Sequence, residues 1–99
     1  MELENEKKDK WLIIYMGGRL DVHMSQEIEN FIDNKIKENE NYIIFDLKDV
    51  DYMSSSGLRV FISTMRKLKE NDGELRICNM NDSVKKIFKI VELEGLFTI

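Results

Sequence analysis

Tyr42-Ile43-Ile44-Phe45-Asp46-Leu47-Lys48-Asp49-Val50-Asp51-Tyr52-Met53-Ser54-Ser55-Ser56-Gly57-Leu58 carries the chain from a strand pattern into a helix pattern. Tyr42 to Leu47 is apolar and β-prone, and a short loop is expected to follow it. From Leu58 onward, Phe61, Ile62, Met65 and Leu68 recur at helical spacing. Between the two lie three consecutive serines and a glycine. A serine at a helix start accepts a hydrogen bond from the free amides of the first turn, and one serine suffices for that. The same end, with its unpaired N–H groups and the positive pole of the helix dipole, also favours a phosphate. Two readings therefore stand together, a capped turn and a phosphorylatable switch.

Downstream, Asn71-Asp72-Gly73 closes the helix with the glycine expected just past a C-terminus. Glu74 to Asn79 reads as a third strand. Asn81 or Asp82 can cap a last helix that places Val84, Ile87, Phe88 and Val91 on one face. Gly95 stops it, and Leu96-Phe97-Thr98-Ile99 reads as a final short strand. Upstream, Trp11 to Met16 is a continuous apolar run ended by Gly17-Gly18, as in a strand buried on much of both faces. Arg19-Leu20-Asp21 leads into a helix over residues 23–38, with Met24, Ile28, Phe31, Ile32 and Ile36 on one face. Its early Glu27 and Glu29 and late Lys35 and Lys37 complement the dipole. The opening nine residues are polar, either frayed or a short edge strand.

Strands alternating with helices of this length imply βαβ units. The expected fold is a single α/β domain with a mostly parallel sheet of four to five strands and helices mainly on one face. After a short N-terminal strand the order is β-α-β-α-β-α-β. The serine stretch then lies outside the carboxyl end of a central strand, where open α/β sheets keep their functional groups.

Composition narrows the function. Ninety-nine residues make one domain, and a charge of −4 with no long basic tract argues against a nucleic-acid surface. Arg66, Lys67 and Lys69 form the densest basic cluster and read as a solvated helix face. The acidic start Met1-Glu2-Leu3-Glu4-Asn5-Glu6 is no signal peptide, and no apolar run approaches the roughly 20 residues of a membrane span, so a cytoplasmic chain is expected. The single cysteine, Cys78, excludes an intramolecular disulfide and reads as a buried, inert strand thiol. His23 is the only histidine, which excludes a multi-histidine metal site; it reads as a cap or packing residue near its helix start. Asp46, Asp49 and Asp51 have the spacing of a solvated acidic loop, and no metal or other cofactor is assigned to them. There is no GxGxxG, no GxxxxGK[ST], and no GxSxG elbow at Ser55, because position 53 is Met53. Nothing in the residues supports an enzyme.

With those residues in view, the run from Ile43 to Leu58 resembles the signature of the STAS family, the domain of bacterial anti-sigma factor antagonists. Gly18-Arg19-Leu20-Asp21 is similar to the family's Gly-x-Leu-Asp before the first helix. Val84-Lys85-Lys86-Ile87-Phe88, followed by Gly95-Leu96-Phe97, is similar to its late helix and final strand. The resemblance implies a binding module. Unphosphorylated, it would engage an anti-sigma factor that is also a serine kinase, and so free a sigma factor. The kinase would end the complex by phosphorylating the turn, and a serine phosphatase would reverse that. By position the acceptor is Ser55, with Ser54 and Ser56 the alternatives. Asp21, Ser54, Ser55, Ser56, Gly57, Leu58 and Arg59 are the expected partner-binding residues.

Two departures bear on this. Ser54 stands where the family usually has aspartate, and the chain stops at Ile99 where many members continue into another helix. The second would leave apolar surface uncovered and favours a weak homodimer. The alternative function within the same fold is a phosphorylation-independent STAS module regulating a transporter or a larger signalling complex. A nucleotide-binding or weak phosphohydrolase domain ranks below both, since no phosphate loop and no evident base is present.

Overall fold

A computed structural model describes residues 3–90, with side chains as far as Lys86. Strand β1 (Asn5–Lys8) turns through Asp9 and Lys10 into β2 (Trp11–Leu20), and the two pair antiparallel. Asp9 takes the left-handed conformation, at φ 54°, that a two-residue hairpin turn requires. Then follow α1 (Val22–Lys37), β3 (Tyr42–Met53), α2 (Ser55–Glu70), β4 (Glu74–Cys78) and α3 (Asp82–Ile90). The sheet order is β1-β2-β3-β4, with β2, β3 and β4 mutually parallel. The short edge strand and the mostly parallel sheet thus match the expected α/β architecture. Leu96 to Ile99, expected to form a closing strand, lie outside the described residues, as do Val91 and Gly95.

The core lies on one face of the sheet. Leu12, Ile14 and Met16 of β2, Ile43, Phe45 and Leu47 of β3, and Leu75 and Ile77 of β4 are buried there. Helices α1 and α2 cover them with Ile28, Phe31, Ile32, Phe61, Met65 and Leu68. Phe45 and Phe61 meet with ring centroids 4.7 Å apart, and α3 adds the fully buried Val84.

The opposite face corrects the expectation that the Trp11–Met16 run is buried on both sides. Trp11, Ile13 and Tyr15 are only half-buried. On this face Arg76 lies 4.6 Å from the Trp11 ring, and Lys10 lies 4.3 Å from the ring of the adjoining Tyr42. Long charged side chains lay their stems over these aromatics and keep their heads in water. Cys78, expected buried, is likewise half-buried on this face.

Both long strands outrun their sequence limits. Gly17-Gly18 does not end β2, which continues to Leu20, and the loop expected after Leu47 is strand as far as Met53. The register between them shifts between Tyr15 and Gly17 and again between Gly18 and Arg19, with Gly18 at φ 71°. These irregularities let Val50 and Met53 reach the core three residues apart instead of two.

Helix α1 starts at Val22, and its N-cap is Asp21, whose carboxylate accepts the Met24 N–H at 2.9 Å. His23 neither caps nor packs: it stands exposed, 3.7 Å from Glu27. Lys35 and Lys37 occupy the last turn as expected, but no acidic residue falls in the first. At α3 the cap is Asn81, whose side-chain oxygen accepts the Val84 N–H at 2.9 Å.

Candidate functional site

The site forms where two adjacent parallel strands each hand over to a helix. Leu20 pairs with Met53 at the ends of β2 and β3, so Asp21 and Ser54, the next residues, become the neighbouring caps of α1 and α2. The Leu20 carbonyl joins them. It accepts the Ser54 N–H at 3.0 Å and the Ser54 hydroxyl at 2.7 Å. The Ser54 Oγ in turn accepts the Gly57 N–H at 3.2 Å. Helix α2 therefore begins at Ser55, three residues before the Leu58 start expected from periodicity.

The three serines have different roles. Ser54 is half-buried and committed to the cap, Ser55 is exposed on the first turn, and Ser56 is half-buried. Gly57 is buried against Leu20; a Cβ there would sit 3.0 Å from Met53 Cγ and 3.3 Å from the Leu20 oxygen. Its missing side chain lets α2 approach the oxygen that anchors the cap. Leu58 is buried, and Arg59 is exposed.

From Ser55 an open groove with a volume near 730 Å³ runs along α2. Leu58, Arg59, Ile62, Ser63, Arg66, Lys67 and Glu70 line it. Lys67 is tied to Asp33 of α1 at 2.7 Å. The structure thus brings together all the residues expected from sequence: Asp21 and Ser54 through Leu20, and Ser55 to Arg59 along one helix start.

It also adds three. The Arg19 guanidinium lies 4.4 Å from the Tyr52 ring, on the strand rung just before Leu20 and Met53. Val22, the first residue of α1, is 68% exposed and Tyr52 is 40% exposed. Tyrosine and arginine are among the residues that most often anchor protein interfaces. An apolar residue directly after a cap was a readable signal for Val22, whereas the Arg19–Tyr52 stack depends on a register that sequence does not display.

Asp46 and Asp49 line one hollow with Glu4 and Lys48. Asp46 accepts the Lys48 N–H and the Asn79 side-chain amide, both at 3.0 Å. Among the described residues no group of histidine, cysteine, aspartate and glutamate side chains could hold a metal ion. No helix among them is long and apolar enough to cross a membrane.

A mixed sheet with helix-start caps side by side at the ends of its two central strands defines a small α/β domain. The chain belongs to the STAS domain family, whose model matches residues 2–99. It is 31% identical over its whole length to the anti-sigma-B factor antagonist of Staphylococcus aureus, covering 92% of that protein. Its fold is similar to that of the anti-sigma factor antagonist SpoIIAA in the unphosphorylated form, with a TM-score of 0.74 at 24% identity, over 89% of this chain and 82% of that one. SpoIIAA of Bacillus in the phosphorylated form gives a TM-score of 0.78 at 24% identity, over 99% and 89% of the two chains.

Proposed function

We propose that this chain is an anti-sigma factor antagonist of the cytoplasm, a binding module and not an enzyme. Unphosphorylated, it binds an anti-sigma factor serine kinase and so frees a sigma factor; phosphorylation of Ser55 ends the complex. The observation that carries this reading is the division of labour among the serines. Ser54 gives its hydroxyl to the Leu20 carbonyl and its lone pair to Gly57, while Ser55, beside it, is exposed. Further support comes from the relatives, which are named anti-sigma factor antagonists.

In the transfer step the Ser55 Oγ attacks the γ-phosphorus of ATP held by the kinase. The new O–P bond forms as the bond from that phosphorus to the β–γ bridging oxygen breaks. The hydroxyl proton passes to a base of the kinase, and ADP leaves. A serine phosphatase adds water to the phosphorus, breaks the ester P–O bond, and releases inorganic phosphate and the free hydroxyl. Asp21, Ser56, Gly57, Leu58 and Arg59 complete the contact surface, with Arg19, Val22 and Tyr52 beside them.

Incubation with the cognate kinase and ATP tests the reading by mass spectrometry. One phosphoryl group is expected on Ser55, and none in Ser55→Ala. In a pull-down the alanine variant should retain the kinase and Ser55→Asp should release it. Transfer to Ser54 would overturn Ser55 as the acceptor, and tight binding with no transfer would overturn the phosphoswitch. The second of these results would leave a regulatory module of a larger complex.

A further inference from the structure

The start of α2 offers a phosphate on Ser55 fewer amides than a bare helix end would. Ser54 already takes the Gly57 N–H with its side chain at 3.2 Å, one of the first-turn donors that a bare end would leave free. Beyond the backbone, a cationic side chain also lies within one turn. Arg59 lies four residues after Ser55, the spacing at which helical side chains stand one above the other. Side chains on a helix lean toward its N-terminus, so Arg59 covers the turn that carries Ser55. Both residues line the same groove. Arg59 is exposed and makes no ion pair among the described residues, whereas Lys67, further along, is held by Asp33. The cap beside Ser55 is a neutral serine, so no carboxylate at that position competes for the guanidinium.

We infer that Arg59 receives the Ser55 phosphate, its guanidinium closing on the phosphoryl oxygens once Ser55 is modified. The inference rests on Ser55 as the acceptor. Arg–phosphate pairs are short, charge-assisted and often bidentate, which suits a planar guanidinium arriving from one turn away. Modification then changes the contact surface twice. An anion appears at Ser55, and the free cation at Arg59 is withdrawn. A partner that meets Arg59 with a carboxylate loses that contact and gains a repulsion, with no rearrangement of the fold.

The test needs no kinase. Phosphoserine is installed at position 55 by encoded incorporation, and its second ionisation is followed by ³¹P NMR with and without Arg59→Gln. That ionisation ordinarily falls near pH ~6. With Arg59 in place it is expected to lie lower than in Arg59→Gln by about 0.2–0.4 unit, and 1 M salt should shrink the difference. Arg19, Asp21 and Asp51 are common to both chains, so their influence cancels. Arg66→Gln, in the same groove but about 16 Å from Ser55 along the helix, should leave the titration unmoved. Equal titrations with and without Arg59, or an equal effect from Arg66→Gln, would overturn the inference. Because the phosphate is installed directly, such a failure is separate from a failure of any kinase to modify Ser55.

Discussion

Ser54→Ala separates the structural serine from its neighbours. The substitution removes the cap of α2, which costs about 1 kcal/mol in comparable helices. It also removes the hydroxyl that donates to the Leu20 carbonyl at 2.7 Å. That oxygen keeps the Ser54 N–H at 3.0 Å, so it is not orphaned, and the second loss is worth only about 0.5 kcal/mol. Together these predict a destabilisation of about 1.5 kcal/mol, or about 7 °C in melting temperature for a domain of this length. Ser54→Asp should fall between the two. Its carboxylate restores an acceptor for Gly57 but has no proton for Leu20. Urea denaturation with an unchanged slope, together with calorimetry, measures all three proteins. Ser55→Ala, at an exposed position outside the cap, should stay within about 0.5 kcal/mol of the parent. A Ser54→Ala protein as stable as the parent, or a Ser55→Ala protein as destabilised as Ser54→Ala is expected to be, would refute the assignment of the cap.

Gly73→Ala should abolish or severely impair folding, because its Cβ would lie only 1.9 Å from the Asn41 carbonyl oxygen, a backbone atom that cannot step aside; a cooperative melt near the parent's would contradict this. Tyr15 should ionise late, at a pKa of about 12 instead of 10.0, chiefly because its hydroxyl donates to Glu6 at 2.6 Å. The unfolded chain therefore releases this proton first, so the contribution of Tyr15 to stability is complete below pH 10.0 and is lost as pH rises toward 12. Phenolate absorbance checks the value, and Glu6→Gln should bring it down. The Cys78 thiol is raised by desolvation first and by Asp46 second. Its alkylation by iodoacetamide at neutral pH should be slower than in the unfolded chain and faster in Asp46→Asn than in the parent; equal rates in all three would dismiss the effect.

What could be read from the sequence was what repeats locally. The stripe Leu58, Phe61, Met65 and Leu68 does face the sheet, and the alternation of strands and helices gave the parallel order. The second half of β3 was hidden because Leu47, Val50 and Met53 enter the core at three-residue steps, which imitates neither a strand nor a helix. The two-sided burial expected of Trp11 to Met16 failed for another reason: a cation on an aromatic ring can stand in for a covering helix, and hydrophobicity alone does not register it. Ser54, Ser55 and Ser56 were indistinguishable as letters. What distinguishes them is the Leu20 carbonyl, 34 residues from Ser54 in the chain, and only the register of β2 on β3 brings it there.

The Leu20 oxygen already holds two hydrogens, and that limits how the turn can carry information. To move, Ser54 would have to surrender both bonds along with its own grip on Gly57, so a phosphate next door would be written on a stationary surface. Such a mark has no mechanical stroke to complete and no spring to return it. Uncatalysed cleavage of a phosphate monoester is among the slowest reactions known in water. The mark would therefore last until an enzyme came to erase it, making the turn a one-bit memory clocked by visitors and not by the fold.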